Sequence, residues 1–167
     1  MNRIVTRILW FAGLMLLQVL FFNRIHWFNV ATPYFYIYLL LTLDQDTSRS
    51  GLLLWGFAIG LAMDIFSNTF GVHAAATTLI AFLRPGIQRL FYVRDDNEIF
   101  EPGIRAMGAG AFWPYALLCT LVHHAAVFIL EFFSFAHPVQ LLLHIGASTL
   151  LTMFFIIAVE LIRYRKL

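Results

Sequence analysis

The chain has 167 residues, of which 61% are hydrophobic and only 12% are charged, with a formal net charge of +2. A soluble domain is about 45 to 50% apolar and about 25% charged, so this composition excludes a soluble enzyme. A transmembrane helix needs about 20 residues, so the length allows about six crossings and no separate soluble domain. Cys119 is the one cysteine, which excludes an internal disulfide framework.

Six apolar segments follow one another, and each is predicted to form a membrane-crossing helix. They run from about Ile8 to Phe22, Trp27 to Leu43, Gly51 to Phe66, Gly71 to Leu83, Ala109 to Phe133 and Val139 to Ile162. The middle three are short and must tilt or use flanking residues. A re-entrant hairpin of segments two and three is the alternative. It would hold Asp44, Asp46 and Arg49 at membrane depth, where each charge costs at least ~2.5 kcal/mol, so we predict a six-transmembrane-helix bundle over residues 1–167.

The first segment has the basic start and apolar core of a signal peptide. It ends in Phe21, Phe22, Asn23 and Arg24 and has no small-residue cleavage site. We therefore expect it to remain as a membrane anchor.

The positions of Lys and Arg predict the orientation, because basic loops stay on the cytoplasmic side. With a cytoplasmic N-terminus, every Lys and Arg except Arg24 falls on the cytoplasmic side. Both termini are then cytoplasmic, and the chain is predicted to be a multi-pass membrane protein. The basic residues are dispersed among helix ends, which favours topology over nucleic-acid binding.

The stretch from Arg84 to Arg105 is predicted to be a cytoplasmic loop, with Pro85 and Gly86 breaking the fourth helix. Ile87, Leu90 and Phe91 share a helical face, so a short interfacial helix is predicted here, with Arg84, Gln88 and Arg94 pointing away. An acidic cluster follows, formed by Asp95, Asp96, Glu98 and Glu101. It is interpreted as a solubilising turn, with a docking surface for a cytoplasmic partner as the alternative.

Polar residues inside the third segment form the first candidate site. Gly56, Gly60 and Asp64 are four residues apart and drift only slowly around a helix. The glycines allow another helix to approach closely, so the face is predicted to pack against a helix or a partner. Asp64 is interpreted as a structural ion pair or helix cap, with a ligand or proton site and a partner contact as alternatives. Arg24, His26 and His73 are its candidate neighbours.

The last two segments carry the second candidate site. Helix rise puts Glu131 and His144 at similar depths, and likewise His124 and Ser148. We predict buried polar pairs between Glu131 and His144 and between His124 and Ser148. A zinc site is the alternative, but the spacing HExxH is absent.

No enzyme signature is found among the motifs GxSxG, HExxH, GxxxxGK[ST] and GxGxxG. The prediction is a non-enzymatic protein without a cofactor or catalytic residues.

Three motifs carry a family resemblance. They are G-x-x-x-G-L-x-x-D-I-F-S from Gly56 to Ser67, G-x-H-A-A-A from Gly71 to Ala76, and Arg84 with Pro85. With the stretch QVLFFNRIHWFNVATPYFYIYLLL before them and HH and LEFFS after them, the chain resembles the rod shape-determining protein MreD family over most of its length. His73, Arg84 and Pro85 are the matching motif positions.

The resemblance implies a scaffold subunit of the bacterial elongation complex, which builds side-wall peptidoglycan and determines cell shape. By resemblance its direct partner is bitopic MreC. MreB, RodA and a class B penicillin-binding transpeptidase belong to the same complex, and membrane lipids and a homodimer are further expectations. Two surfaces are candidates for a partner's helix: the glycine face at Gly56 and Gly60, and a lipid-facing surface at Phe35 and Tyr38.

MreD-like proteins also resemble the six-helix substrate-binding subunits of energy-coupling-factor transporters. This resemblance implies a rival function, the capture of a vitamin-like molecule or lipid. Such subunits commonly carry Ala-x-x-x-Ala on the first helix, whereas here Ala12 is followed four residues later by Leu16. The departure favours the scaffold.

Overall fold

The structure is a computed structural model that describes residues 3–24, 31–92, 101–133 and 137–165. Seven α-helices lie within these ranges, and a 3-10 turn at Phe22–Arg24 follows the first. The helices are α1 (Arg3–Leu20), α2 (Ile37–Leu41), α3 (Arg49–Ser67), α4 (Val72–Phe91), α5 (Ile104–Met107), α6 (Ala109–Phe132) and α7 (Pro138–Arg165).

Three of these helices, α3, α6 and α7, are long and apolar enough to cross a membrane. The apolar part of α1, Arg7–Leu20, is shorter, and α4 carries Arg84 and Arg89 near its end. The described residues therefore form an α-helical structure without strands, with three helices suited to crossing a membrane, as in a membrane protein.

Neighbouring helices pack in the order α1, α3, α4, α6, α7. A four-residue turn, residues 68–71, joins α3 to α4. Ser48 caps the start of α3, its side chain accepting a hydrogen bond from the Gly51 amide at 3.1 Å. Asn68 ends α3 with φ 55° and Gly71 precedes α4 with φ 82°, so the chain reverses within four residues. This short connection makes α3 and α4 antiparallel neighbours.

The prediction of a helix from Trp27 to Leu43 is wrong over the described part of that range. Residues 31–36 are irregular and α2 has only five residues. We call residues 31–43 the central segment, because Pro33 to Leu41 are all buried among the longer helices. Pro33 has no amide N–H and constrains the residue before it, and the helices around it supply hydrogen bonds that a helix would have made for itself.

The central segment lies between the two ends of the bundle. Before it, the Asn23 side chain donates to Ser67 Oγ at 3.2 Å, where α1 and α3 end. After it, Asp44 forms an ion pair with Arg7, close to the start of α1. We call the Asn23–Ser67 end the outer end and the Arg7–Asp44 end the basic end. A segment that is irregular up to Tyr36 and helical only over Ile37–Leu41 therefore passes through the inside of a helical bundle.

Phe35 and Tyr38 were predicted to face lipid, and this prediction is wrong. Both lie in the central segment and are only 2% and 3% exposed.

The predicted break at Pro85 is also wrong. α4 continues through Pro85 and Gly86 to Phe91, so no separate interfacial helix begins there. Arg84 and Gln88, predicted to point away from the apolar face, are 1% and 5% exposed. Membrane helices tolerate an internal proline when neighbours satisfy the freed carbonyl.

Of the acidic cluster, Glu101 is described and binds the Arg163 guanidinium. Asp95, Asp96 and Glu98, together with Arg94 and His26, lie outside the described residues, as does the side chain of Arg24.

Candidate functional site

The central segment needs hydrogen-bond partners, because an irregular backbone inside a membrane protein cannot leave its N–H and C=O groups unpaired. α7 supplies two of them. The Thr32 amide donates to Ser148 Oγ at 3.0 Å, and the Tyr34 amide donates to Thr152 Oγ1 at 3.1 Å. The side chains of Ser148 and Thr152 thus bind the backbone of the central segment.

Gln18 of α1, which is fully buried, makes two more hydrogen bonds to the backbone of the central segment. Its amide nitrogen donates to the Pro33 carbonyl at 2.8 Å and to Asn23 Oδ1 at 3.0 Å. Its carbonyl oxygen accepts from the Tyr36 amide at 3.3 Å. One side chain therefore satisfies an acceptor and a donor three residues apart in the central segment.

Arg84 and Tyr115 hold the other end of the segment. The Tyr115 hydroxyl donates to the Leu41 carbonyl at 3.0 Å and accepts from Arg84 Nε at 3.0 Å. A second guanidinium nitrogen of Arg84 donates to the Leu43 carbonyl. α4 and α6 thus bind the segment where it leaves the bundle.

The tyrosine side chains of the segment make the remaining contacts. The Tyr36 hydroxyl lies 2.9 Å from both His73 Nδ1 and His123 Nε2. A hydroxyl has one proton to donate, so one of the two histidines must donate its ring N–H to Tyr36. α4, α6 and the central segment therefore meet at one hydrogen-bonded cluster.

Glu160 of α7 binds the segment near the basic end. Its carboxylate is 2% exposed, and it accepts hydrogen bonds from the Tyr38 hydroxyl and, at 3.0 Å, from the Ile104 amide. Arg163 Nη1 lies 3.5 Å away. This buried carboxylate joins α5, α7 and the central segment.

His124 was predicted to pair with Ser148, but it contacts Thr152 instead, and Thr152 links it to the central segment. His124 Nδ1 lies 2.8 Å from the Thr120 carbonyl, which can only accept, so Nδ1 carries the proton. In the neutral ring Nε2 then accepts from the Thr152 hydroxyl at 3.1 Å. Thr152 Oγ1 in turn accepts from Tyr34, which gives a continuous chain of three hydrogen bonds from the segment to α6.

Asp64 caps the start of α4. Its two carboxylate oxygens accept from the His73 amide at 3.0 Å and the Ala74 amide at 2.8 Å, and Thr69 Oγ1 also donates to it. Free amides and the dipole at a helix N-terminus favour a carboxylate there. Asp64 is 3% exposed, and the geometry is that of a structural cap.

Gly56 and Gly60 face α4 of the same chain. A Cβ added at Gly56 would lie 2.7 Å from Ala81 Cβ and 2.9 Å from the Thr77 carbonyl. One added at Gly60 would collide with the Thr77 side chain and the His73 carbonyl. This face is filled from within, so a partner's helix cannot occupy it.

An open cleft of about 450 Å³ lies at the outer end, and we call it the outer cleft. It is lined by Asn23, Thr32, Tyr34, Ser67, Thr69, His73, Phe128, Glu131, Phe132 and His144. Glu131 is exposed and His144 is half-buried, and both line this cleft. The predicted partners are therefore neighbours at a surface opening rather than a buried pair.

Within the described ranges, no group of three or more His, Cys, Asp or Glu is placed to hold a metal ion. His124 and Glu131, which the zinc alternative combined, have separate surroundings: Thr120 and Thr152 bind the first, and the outer cleft exposes the second.

Sequence reasoning missed Gln18, Tyr115 and Glu160, which hold the central segment in place. Gln18 and Glu160 carried a detectable signal, since each is a polar residue within a long apolar run and such residues usually have a specific partner. Tyr115 carried none, because tyrosine is common in membrane helices.

Comparison of the chain with protein-family models, with curated proteins and with solved structures finds no match.

Proposed function

We propose that this chain is a non-enzymatic, multi-pass scaffold of the bacterial inner membrane, similar to MreD, that binds MreC in the elongation complex. MreB, RodA and a class B penicillin-binding transpeptidase are the further members of that complex. In this proposal α1, α3, α4, α6 and α7 cross the membrane, and the central segment provides the sixth crossing. The basic end then faces the cytoplasm.

One observation carries the scaffold proposal: the polar groups of the resembling motifs are used inside the chain. Asp64 caps α4, His73 contacts Tyr36, and Arg84 donates to the Leu43 carbonyl. Each of these bonds fixes one part of the bundle to another. Such use of motif residues supports a rigid body that positions partners.

The first helix is the proposed contact for the partner's single helix. Ala12 and Gly13 are exposed on the same side of α1 as Leu9 and Leu16, and nothing lies within 4 Å of a Cβ added at Gly13. Small residues on an exposed membrane helix let a second backbone approach closely. The opposite side of α1, with Met15 and Gln18, is buried against the bundle.

Copurification tests the proposal. The tagged chain is isolated from its native cell in mild detergent, and mass spectrometry identifies the proteins that accompany it. We expect MreC in amounts comparable with the tagged chain. A second copy of the chain, carrying a different tag, reports homodimerisation in the same experiment.

Two glycine variants locate the contact. Gly13→Leu and Gly146→Leu each add a side chain in the middle of a helix where an added Cβ meets open space, so both should fold. We expect Gly13→Leu to lower MreC recovery about tenfold, a loss of about 1.4 kcal/mol, and Gly146→Leu to leave it unchanged. Equal recovery from both variants contradicts the α1 contact.

The outer cleft favours a second candidate, a substrate-binding subunit of a transporter for a vitamin-like molecule or lipid, because a ligand needs such an opening. The copurification separates the two. Recovery of an ATPase pair with an energy-coupling membrane protein, in the absence of MreC, would support the transporter.

A further inference from the structure

The outer cleft has an aromatic wall. His144 lies with its ring centroid 5.5 Å from that of Phe128 and 5.2 Å from that of Phe132. Tyr34 continues the wall, 6.1 Å from Phe128. All four side chains line the cleft, so an occupant would contact several aromatic rings.

A carboxylate lies beside this wall. Glu131 is on α6 between Phe128 and Phe132 and lines the cleft with them. Of the described lining residues, it is the one carboxylic acid, and none of them is a lysine or an arginine; His73, His144 and Tyr34 are the other titratable groups there. When ionised, Glu131 therefore gives the cleft a negative charge.

Two further features near the cleft also favour a positively charged occupant. Thr69, which lines the cleft, donates to the buried carboxylate of Asp64. In addition, α3 and α6 both end at the cleft, and the C-terminal end of a helix dipole is negative. α4 and α7 begin nearby, but the start of α4 is already capped by Asp64. An anionic occupant is disfavoured by this arrangement.

We propose that the outer cleft binds an ammonium group, supplied by the headgroup of an aminolipid or by a soluble amine. Aromatic faces combined with a carboxylate are the surroundings in which proteins recognise organic cations. Exposed Val139, Leu142 and Leu143 of α7 lie next to His144 along the chain, and they give acyl chains an apolar surface beside the cleft.

The test uses the purified full-length chain in nanodiscs made from equal parts of phosphatidylethanolamine and phosphatidylglycerol, so it needs no partner protein and is independent of the scaffold proposal. Native mass spectrometry measures the lipids that stay bound after release. We expect retention of phosphatidylethanolamine in preference to phosphatidylglycerol. Glu131→Gln should reduce that preference about threefold to tenfold.

Glu101→Gln is the matched control, because Glu101 is an exposed carboxylate that binds Arg163 at the basic end. It should leave the preference unchanged. Since Glu131 is exposed, its variant should fold, and size-exclusion chromatography checks this.

A second arm identifies a soluble source. Ligand-observed NMR measures binding of ethanolamine and choline to the chain in phosphatidylglycerol nanodiscs. Binding that depends on Glu131, without lipid preference, supports the proposal with a soluble amine as the ligand. A lipid preference that Glu131→Gln does not alter, or the absence of both lipid preference and amine binding, overturns it.

Discussion

Thr152 and Thr149 are neighbouring, buried threonines of α7 with opposite roles. Thr152 accepts from the Tyr34 amide and donates to His124, whereas Thr149 Oγ1 has no partner within the described chain. Substitutions of these two threonines therefore separate the contribution to stability of a hydrogen bond to the central segment from the contribution of a buried hydroxyl.

We predict that Thr152→Val destabilises the protein by about 1 to 3 kcal/mol, because it leaves a buried amide without an acceptor. Thr149→Val should be neutral or slightly stabilising, since it removes a hydroxyl that is already unpaired. Thermal unfolding in detergent measures both. Equal melting temperatures for the two variants would show that Thr152 does not hold the segment.

The sequence predicted which polar residues are buried better than it predicted their hydrogen-bond partners. Polar residues in apolar runs indicated His124 and Ser148, and both are buried. Their predicted contact was wrong because it assumed that two helices satisfy each other. The central segment instead offers backbone amides that need acceptors. The Thr32 amide binds Ser148, and the Tyr34 amide binds Thr152, which in turn contacts His124.

At the scale of the helix, the pair α3 and α4 depends on the close approach of two backbones. Gly60 lies against the Thr77 side chain and the His73 carbonyl. A side chain there must push the helices apart, which costs the packing between them.

We predict that Gly60→Ala destabilises the protein by about 1 to 3 kcal/mol through this overpacking. Gly146→Ala is the control: it meets open space, and the better helix propensity of alanine should stabilise the protein by up to about 1 kcal/mol. Thermal unfolding distinguishes the two directions. A stabilising Gly60→Ala would mean that α3 and α4 are further apart than described.

Helix positions were predicted well for α3 and α6. The predicted segment from Ala109 to Phe133 corresponds to α6, Ala109–Phe132, and Gly51 to Phe66 corresponds to α3, Arg49–Ser67. Two predictions failed. α4 continues through Pro85 to Phe91, and the described residues 31–43 bind side chains of the surrounding helices in place of forming one long helix of their own.

At the scale of the whole molecule, long helices surround the central segment, of which only Ile37–Leu41 is helical. Side chains from α1, α4, α6 and α7 donate to or accept from the backbone of the central segment. Long apolar side chains such as Leu54, Phe82 and Leu150 are exposed on the outside, where lipid or a partner can cover them. Composition predicted this apolar exterior, but no local pattern indicates that one apolar run lies inside the others.

The most direct test of that arrangement is disulfide crosslinking between the central segment and α7. Thr32→Cys and Ser148→Cys are combined in a Cys119→Ser background. The Thr32 amide lies 3.0 Å from Ser148 Oγ, which brings the two residues close together, and disulfides usually join Cα atoms about 4.4 to 6.8 Å apart. Thr32→Cys with Leu150→Cys is the control, since Leu150 is 71% exposed on the outside of α7. We predict rapid oxidation of the first pair alone. Crosslinking of the control pair, or of neither pair in the folded protein, would contradict a central segment enclosed by the helices.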